Sequence, residues 1–358
     1  MTNLHIFNPE HDLALAAGIG NVTPPAPAVR LARGLAYIPA FWADEGDVVL
    51  VDDKKRVADD AQLFKPWMAD VEWVDFGELK DWVKNQGGHP FTVVPWGWDA
   101  AVCSRMRKAG VRSDALLSDD GLETVRRLSG RATSVELLRA MKADMPWVEG
   151  ESVVVHSMDE ITQHLMEWGR VVLKSPWSCS GRGVKFISDA ADSVTRSFAH
   201  TPLAAWAQHI LDAQGYLTVE HFLDRVHDFG MEFYAHENGE VEYVGLSVFS
   251  AEHGAYSGNI IGSEKQKTEL LSCWIPNGTL DTIREWLCIH LQSLLQGMYT
   301  GPLGVDMMVV RTPHGYAVNP CVEINLRRTM GHLSIALYQR GVSSGRFAIQ
   351  NYQLHIYS

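Results

Sequence analysis

The chain has 358 residues, of which 46% are hydrophobic and 21% charged, values typical of a folded protein with a sizeable core. Its formal net charge of −12 argues against a general nucleic-acid-binding surface, which requires a basic face, although a local basic pocket for a small anion is compatible with it. The five cysteines form no C-x-x-C pair and no H-E-x-x-H string occurs, so a structural zinc site and a disulfide framework are both disfavoured.

No apolar run approaches the roughly 20 residues of a membrane-spanning helix. The first residues, MTNLHIFNPEHD, also lack the pattern of a signal peptide. We therefore expect a cytoplasmic protein in a reducing compartment, with neither a membrane nor a nucleic acid as partner.

Short apolar runs alternate with polar or amphipathic stretches in the first third of the chain. These runs are Leu4–Phe7, Val48–Val51, Val71–Val74 and Phe91–Val94. The alternation predicts an α/β lobe with a parallel sheet. Ligands of such sheets gather beyond the carboxyl ends of the strands, which makes Glu10, His11 and Asp12 candidates for substrate contact. The alternative is that this segment only packs, with Asn8 and Asp99 as helix caps.

Two helices are predicted between Ser118 and Ala143, separated at Ser129-Gly130. Arg131 begins the second of them. Ser134 is interpreted as a helix cap rather than a catalytic serine. Beyond these helices we expect a small lobe with a strand near residues 153–155 and helices near 159–168 and 190–213, in which Met166 and Trp168 make core contacts.

The stretch VVLKSPWSCSGRGVKFI, from Val171 to Ile187, has two β-prone runs on either side of a polar loop. This pattern predicts a hairpin. Gly181 and Gly183 accept backbone angles closed to other residues, so loop N–H groups could converge on a phosphate beside Lys174 or Arg182. The loop matches neither the P-loop nor the dinucleotide-binding pattern, and taken alone a plain surface hairpin is an equally good interpretation.

A second stretch, near the C-terminus, supplies carboxylates. Val305–Val310 and Tyr316–Ile324 are predicted to be two strands joined by a tight turn. Asp306, Glu323 and Asn325 can then converge, because residues two apart on a strand share a face. Hard oxygen ligands of this kind suit Mg²⁺, which is usually held by one or two carboxylates together with substrate phosphates.

The lysine with its glycine loop, followed far downstream by the pattern D…E-x-N-x-R, resembles the ATP-grasp superfamily. The resemblance extends from about Leu128 to Leu337. It implies an α/β ATP-grasp fold with an N-terminal Rossmann-like pre-grasp lobe, a small lid lobe and a C-terminal catalytic lobe. The expected divisions are 1–117 for the pre-grasp domain, 118–146 for linker helices, 147–215 for the lid and 216–358 for the catalytic subdomain.

The resemblance also implies a set of nucleotide-binding residues. Those near the phosphates are Arg131, Lys174, Ser178, Ser180, Gly181 and Gly183. Arg131 stands where the family usually has a lysine, which is a departure, although the arginine fork also suits phosphate. Glu220, His221 and Leu223 occupy the hinge that contacts adenine. Asp228 lies near the expected ribose-binding carboxylate, with a surface acid as the alternative.

The activity implied is that of an ATP- and Mg²⁺-dependent ligase, with Mn²⁺ as an alternative ion. Such enzymes activate a carboxylate as an acylphosphate that an amine or thiol then attacks, so small-molecule carboxylate and amine substrates are expected. Asp306, Glu323 and Asn325 would hold the metal. One of Arg327 and Arg328 would bind the acylphosphate or substrate carboxylate, and the other would form a structural ion pair.

Two other functions and one further segment stay open. The same fold could serve a small-molecule kinase, or a nucleotide-binding regulator without turnover, and a homo-oligomer is compatible with the sequence. Ser250–Gly262 is predicted to be a loop over the site, in which His253 and Tyr256 are candidate substrate contacts. Cys321 is interpreted as a small buried residue rather than a nucleophile.

Overall fold

The computed structural model describes residues 2–178, 183–187, 198, 201–252 and 255–357. Three β-sheets organise these residues: two of four strands and one of seven. None of the helices within these ranges combines the length and apolar character that crossing a bilayer requires.

The first sheet is parallel, with strand order β3-β2-β1-β4, which confirms the α/β lobe predicted from the sequence. Its strands are β1 (Thr2–Ile6), β2 (Val48–Val51), β3 (Glu72–Asp75) and β4 (Phe91–Pro95). The helices of this lobe are α1 (His11–Ala17), α2 (Ala26–Gly34), α3 (Lys54–Ala61), α4 (Leu79–Asn85) and α5 (Ala100–Lys108). Every residue of β2 is buried, as expected of a parallel strand covered on both faces. Asp99 caps α5, accepting a hydrogen bond from the Val102 N–H at 2.8 Å.

Two helices follow, α6 (Asp119–Leu128) and α7 (Arg131–Asp144), with the predicted break between them. The interpretation of Ser134 as a cap is wrong, because Gly130 is the N-cap of α7 and Ser134 lies inside the helix. Its hydroxyl instead accepts a hydrogen bond from the Ile324 N–H at 3.0 Å. A local pattern could not show this contact, since the partner lies 190 residues away.

The second sheet belongs to the small lobe and has the strand order β5-β8-β6-β7. Its strands are β5 (Ser152–Val155), β6 (Val171–Lys174), β7 (Val184–Ile187) and β8 (Leu217–His221), and its helices are α8 (Met158–Trp168) and α9 (Pro202–Gln214). The predicted hairpin is confirmed, since Val171 pairs with Ile187 and Lys174 with Val184. Met166, expected in the core, is 71% exposed, whereas Trp168 packs against the lobe's core.

The third sheet has seven strands in the order β13-β12-β9-β10-β11-β14-β15. They are β9 (Asp224–Ala235), β10 (Val241–Glu252), β11 (Ala255–Ile261), β12 (Gly301–Thr312), β13 (Gly315–Asn325), β14 (Gly345–Gln350) and β15 (Gln353–Tyr357). The helices of this region are α10 (Glu264–Leu271), α11 (Thr279–Leu295) and α12 (Met330–Gln339). The hairpin predicted here, β12–β13, is present, and β9 and β10 form a second antiparallel pair.

The prediction of a loop over Ser250–Gly262 is wrong. The segment extends β10 and forms β11, which pairs with β10 on one side and with β14 on the other. Asn259 lies opposite Phe347, so the strand depends on a partner far along the chain that its glycine-rich sequence does not reveal. His253 lies outside the described residues. The Tyr256 hydroxyl donates to Asn259 Oδ1 at 2.5 Å.

The two faces of the large sheet differ in character. On β9 and β12 the side chains of Met231, Phe233, Leu303 and Val305 point into a hydrophobic core that also contains α11 residues such as Leu287. Because side chains alternate along a strand, the intervening positions of these strands face the other way. That second face carries the polar residues described below.

Candidate functional site

Two carboxylates and an amide meet on adjacent strands of the large sheet. Asp306 on β12 lies directly opposite Glu323 on β13, and Asn325 follows two residues later on the same face. The Asn325 side-chain amide donates to Asp306 Oδ2 at 3.1 Å. The convergence expected from the sequence is therefore present, while the binding of a metal by these residues stays a prediction.

The electrostatics of this cluster favour a cation. Burial raises the pKa of Asp306 to about 8, and the nearby carboxylates of Glu323 and Glu232 act in the same direction. A divalent ion would relieve this repulsion and restore the charged carboxylate. In the described ranges, no group of three or more His, Cys, Asp or Glu side chains could hold a metal. Two carboxylates and an amide fit Mg²⁺ that keeps water and phosphate oxygens among its ligands.

Glu232 is a site residue that the sequence analysis missed. It lies on β9, is 2% exposed, and has its Oε2 atom 3.0 Å from His332 Nδ1. Two glycines leave room for its carboxylate: a Cβ atom on Gly331 would lie 1.9 Å from Glu232 Oε1, and one on Gly304 would lie 2.6 Å from Oε2. The available signal was a lone charged residue within the otherwise apolar run of β9.

Lys174 comes from the small lobe with the second sheet, which the sequence analysis predicts to be the lid, and it is also buried. All four residues of β6 are buried, so the strand delivers this lysine at its end with 7% exposure. Its Nζ atom lies 2.6 Å from Glu220 Oε2, a residue of the neighbouring strand β8. The lysine that the sequence singled out therefore has an acidic partner inside the lid.

Arg131 joins the linker helix, the lid and the carboxylate strand. Its Nε–H donates to the Ser175 carbonyl at 3.0 Å, and its terminal nitrogen lies 3.4 Å from Ser178 Oγ and 3.1 Å from Glu323 Oε1. Gly183 closes the same corner, since a Cβ atom there would lie 2.0 Å from Ser175 Oγ. Ser180 and Gly181, the other predicted loop ligands, lie outside the described residues.

At the expected hinge, the backbone leaves one residue open. Glu220 lies in a strand that is paired on both sides, and the His221 N–H donates to the Glu151 carbonyl at 2.9 Å. Leu223 makes no backbone hydrogen bond to any residue that the structure describes. Of the three predicted adenine contacts, Leu223 thus has the free backbone that such a contact uses.

Asp228, the expected ribose ligand, lies on β9 near the lid. Burial raises the pKa of its carboxyl group, and Arg225 and Lys174 partly offset this rise. Arg225 Nη1 donates to Asp228 Oδ2 at 2.7 Å. The position near Lys174 is compatible with a nucleotide contact, which stays a prediction.

The two consecutive arginines after the carboxylate strand have different partners. Arg327 binds Asp12 of the first lobe through two hydrogen bonds, of 3.2 and 3.0 Å. Burial alone would raise the pKa of Asp12, but Arg327, together with His11 and Arg131, outweighs this effect and holds it below its ordinary value. Arg328 instead stacks on the Trp42 ring, with its guanidinium carbon 4.8 Å from the ring centroid.

The polar segment after β1 is tied to the segment after β4. The Asn8 side chain donates to Asp99 Oδ2 at 2.9 Å, and His11 Nδ1 lies 3.2 Å from the same oxygen. Glu10 Oε1 lies 3.4 Å from Arg105 Nη2. The expectation of Asp99 as a helix cap is confirmed, whereas Asn8 caps no helix and holds the two loops together. Among the contacts that the structure describes, Asp12 is the one of the three candidates that forms an ion pair with a residue directly after β13, Arg327.

A cleft of about 1630 Å³ separates the first lobe from the large sheet. It runs along β4, and its walls include Trp96 and Trp98 on one side and Tyr234 and Tyr299 on the other. Tyr234 lies on the same face of β9 as Glu232, since the two are separated by one residue. The cleft thus lies along the sheet face that carries the carboxylate cluster.

The sequence matches no protein-family model, and no curated protein matches it significantly. The folded chain is nevertheless similar to solved structures. With N5-carboxyaminoimidazole synthetase from Staphylococcus aureus, complexed with ADP, the TM-score is 0.51 at 11% identity, covering 98% of this chain and 82% of that one. With the biotin carboxylase domain of Hydrogenobacter thermophilus 2-oxoglutarate carboxylase, in complex with MgADP, ADP and bicarbonate, it is 0.54 at 12% identity, covering 97% and 73%.

A biotin carboxylase complex with βγ-ATP from Campylobacter jejuni gives a TM-score of 0.52 at 12% identity, covering 97% of this chain and 74% of that one. Identities this low show a common fold and nothing finer. The similarity spans almost the whole chain. The chain therefore has the ATP-grasp fold.

Proposed function

We propose that this protein is an ATP- and Mg²⁺-dependent ligase that activates a carboxylate as an acylphosphate for attack by an amine or thiol. The observation that carries the proposal is the meeting of the oxygen cluster with buried cations from other elements. Arg131 lies 3.1 Å from Glu323 and is bonded to the lid segment that follows Lys174. Two structures of similar fold were determined with ADP, which supports a nucleotide at this junction.

In this proposal Asp306, Glu323 and Asn325 hold Mg²⁺, which when bound neutralises charge on the phosphate oxygens. Lys174 and Arg131 add positive charge from the lid side, where buried cations act more strongly than in water. We expect Lys174, which lies 2.6 Å from Glu220, to exchange this contact for a phosphate oxygen when ATP binds.

The chemistry proceeds by two displacements in which the chain supplies position and charge. A carboxylate oxygen of the acid attacks the γ-phosphorus of ATP, and the bond to ADP breaks with its electron pair leaving on ADP. The amine then attacks the carbonyl carbon, phosphate leaves with the electron pair of the C–O bond, and the amine releases a proton. A protein nucleophile is not required, and burial raises the pKa of the Cys321 thiol, which makes it a poor one.

Product analysis tests the proposal. The protein is incubated with Mg-ATP and a panel of carboxylic acids, each with and without amines or amino acids. A ligase forms ADP, phosphate and a coupled product in equal amounts, and only when both substrates are present. A stable phosphorylated product formed without any amine would identify a kinase instead. If none of the acids and amines in the panel led to ADP formation, the result would contradict the proposed ligase and favour a regulator.

A further inference from the structure

Among the residues that the structure describes, Arg328 is a half-buried cation without an acidic partner. Its backbone N–H donates to the Trp96 carbonyl at 2.9 Å, and its guanidinium stacks on Trp42. The Nε atom is buried and has no hydrogen-bond partner among the residues that the structure describes. Its neighbour in sequence, Arg327, satisfies the same fork with both carboxylate oxygens of Asp12.

An unpaired buried guanidinium is costly unless something else binds it. Burial lowers the pKa of Arg328 to about 10, an effect offset only in part by Tyr234 and Tyr299. No carboxylate contributes to this offset. Charged groups in such surroundings are normally paired, and the arginine fork is suited to a carboxylate. The missing partner is therefore an anion that the chain itself does not provide in the described ranges.

Three aromatic residues near Arg328 line the large cleft. Trp96, whose carbonyl accepts the Arg328 N–H, belongs to its walls together with Tyr234 and Tyr299, so the cleft extends to the surroundings of Arg328. Its volume of about 1630 Å³ is ample for a small organic molecule.

The location also separates Arg328 from the carboxylate cluster. Tyr234 pairs with Pro302, and Gly230 pairs with Asp306, four residues away along the same two strands. Four strand residues span about 13 Å. Arg327 is one of the main groups that shift the pKa of Asp306, whereas Arg328 is not among them. A group bound to Arg328 thus lies some distance from the point where the acyl group would be activated.

We propose that Arg328 binds a second carboxylate of the substrate, distinct from the carboxylate that is activated. The proposal rests on the proposed ligase function and assigns its substrate class: either a dicarboxylic acid or an amine that carries its own carboxylate, as amino acids do. A carboxylate fits better than a phosphate dianion, because Arg328 is a single cation in an aromatic setting. The stacking on Trp42 holds the fork in place for this contact.

The test uses titration calorimetry in the presence of Mg²⁺ and a non-hydrolysable ATP analogue. The probes are pairs that differ by one carboxylate: glutarate against butyrate, and glutamate against 4-aminobutyrate. Wild-type protein should bind the richer member of at least one pair about tenfold more tightly or better. A preference in the first pair places the second carboxylate on the acid, and one in the second pair places it on the amine.

Arg328→Met should abolish this preference, and Arg328→Lys, which keeps the charge, should retain part of it. Arg311→Gln is the matched control. Like Arg328, Arg311 lies over an aromatic ring, that of Tyr316, but it is exposed and lies near Asp224. Without ligand, Arg328→Met should unfold at the same or a higher temperature, because it removes an unpaired buried charge.

Two results would overturn the assignment: no preference in either pair, or a preference that survives Arg328→Met. If that variant does not fold, a full preference in Arg328→Lys, with no loss relative to wild type, would overturn it equally, since a lysine lacks the fork. Binding is measured without turnover. An Arg328-dependent preference in a protein that never forms ADP would therefore reject the ligase and keep the anion site. ADP formation with both substrates, but without such a preference, would keep the ligase and reject the anion site.

Discussion

The candidate nucleotide site has two walls, a lid wall with Lys174 and Glu220 and a sheet wall with Asp306, Glu323 and Asn325. The two walls differ in how their buried charges are paired. On the lid side, Lys174 and Glu220 form a pair of 2.6 Å, so the buried cation is already neutralised. On the sheet side, Asp306 and Glu323 face each other across adjacent strands, and the pKa of Asp306 rises to about 8 through burial and the neighbouring carboxylates. One wall is electrostatically satisfied without ligand and the other is not.

This difference indicates which contacts of a bound metal and nucleotide add binding energy and which ones only replace a contact within the protein. A cation bound at the sheet wall removes a repulsion, so the contact there is a net gain. A phosphate at the lid wall must compete with Glu220 for Lys174, so the contact there replaces an existing one. Arg131 connects the walls, since it is bonded to the lid at Ser175 and lies 3.1 Å from Glu323.

The largest expected effect comes from breaking the sheet wall. Glu323→Gln should lower ATP turnover by at least about 100-fold, because it removes a metal ligand at the point of phosphoryl transfer. Steady-state ADP release, with substrates found in the product screen, measures this effect. Glu285→Gln, an exposed change on α11, is the control and should match wild type. Undiminished turnover in folded Glu323→Gln would remove Glu323 from the site.

Breaking the lid wall should weaken ATP binding less. A charge-assisted contact to phosphate contributes about 1.5–3 kcal/mol, so Lys174→Ala should bind an ATP analogue roughly ten- to hundredfold more weakly. Since the variant leaves Glu220 without its partner, the unliganded protein should also unfold at a lower temperature. Calorimetric and thermal titrations measure both effects, and Lys185→Ala on the adjacent strand is the control.

Glu220→Gln sharpens the same comparison. It removes the charge that competes for Lys174 while keeping a hydrogen-bonding side chain, so ATP affinity should stay the same or increase. A loss of affinity as large as that of Lys174→Ala would show that the pair is structural and that the lysine does not move to the phosphates.

A third buried charge, Lys267, lies outside both walls. It can be used to measure how the burial of a charge affects the free energy of unfolding. Lys267 on α10 is 1% exposed and donates to the Leu246 carbonyl at 2.9 Å. Burial lowers its pKa from 10.5 to about 8, despite the opposing effect of Glu264. Between these values the unfolded chain binds more protons than the folded one, so this residue should make stability rise with pH, by about 2 kcal/mol. Urea unfolding of wild type and Lys267→Met from pH 7 to 10 measures the difference.

The difference in unfolding free energy between the two proteins should shrink by that amount across this window. Lys265→Met is the control, because Lys265 is exposed on the same helix. A difference that does not change with pH would show that folding does not lower the pKa of Lys267.

The smallest expected effect concerns the connection between the walls. Arg131→Lys keeps the positive charge but cannot make both the Ser175 contact and the approach to Glu323 with one planar fork. The loss of one such contact is worth about 1 kcal/mol, so ATP affinity should fall about fivefold. An unchanged affinity would mean that only the charge at this position matters.

Local sequence patterns were sufficient for the carboxylate cluster and the lid hairpin. A turn between two short β-prone runs defines each hairpin, and alternation along the strand places Glu323 and Asn325 on one face. The parallel sheet of the first lobe was equally accessible, because its strands are continuous apolar runs.

Contacts between distant segments could not be predicted. Asp12 and Arg327 are 315 positions apart, and nothing in either segment indicates the other. Strand β11 lies in a segment whose composition is typical of a loop, yet it pairs with β10 and with the distant strand β14. The different environments of Arg327 and Arg328 likewise depend on Asp12 and Trp42, which come from the first lobe.

The most direct test of the central claim is the Mg²⁺ dependence of nucleotide binding. The measurement is a calorimetric titration with a non-hydrolysable ATP analogue, with excess Mg²⁺ and with chelator, on wild type and Asp306→Asn. The sheet wall needs a cation, so wild type should bind at least about tenfold more tightly with Mg²⁺, and Asp306→Asn should lose most of that difference. Equal affinity with and without Mg²⁺ in the wild-type protein would contradict the assignment of Asp306, Glu323 and Asn325 as the metal site.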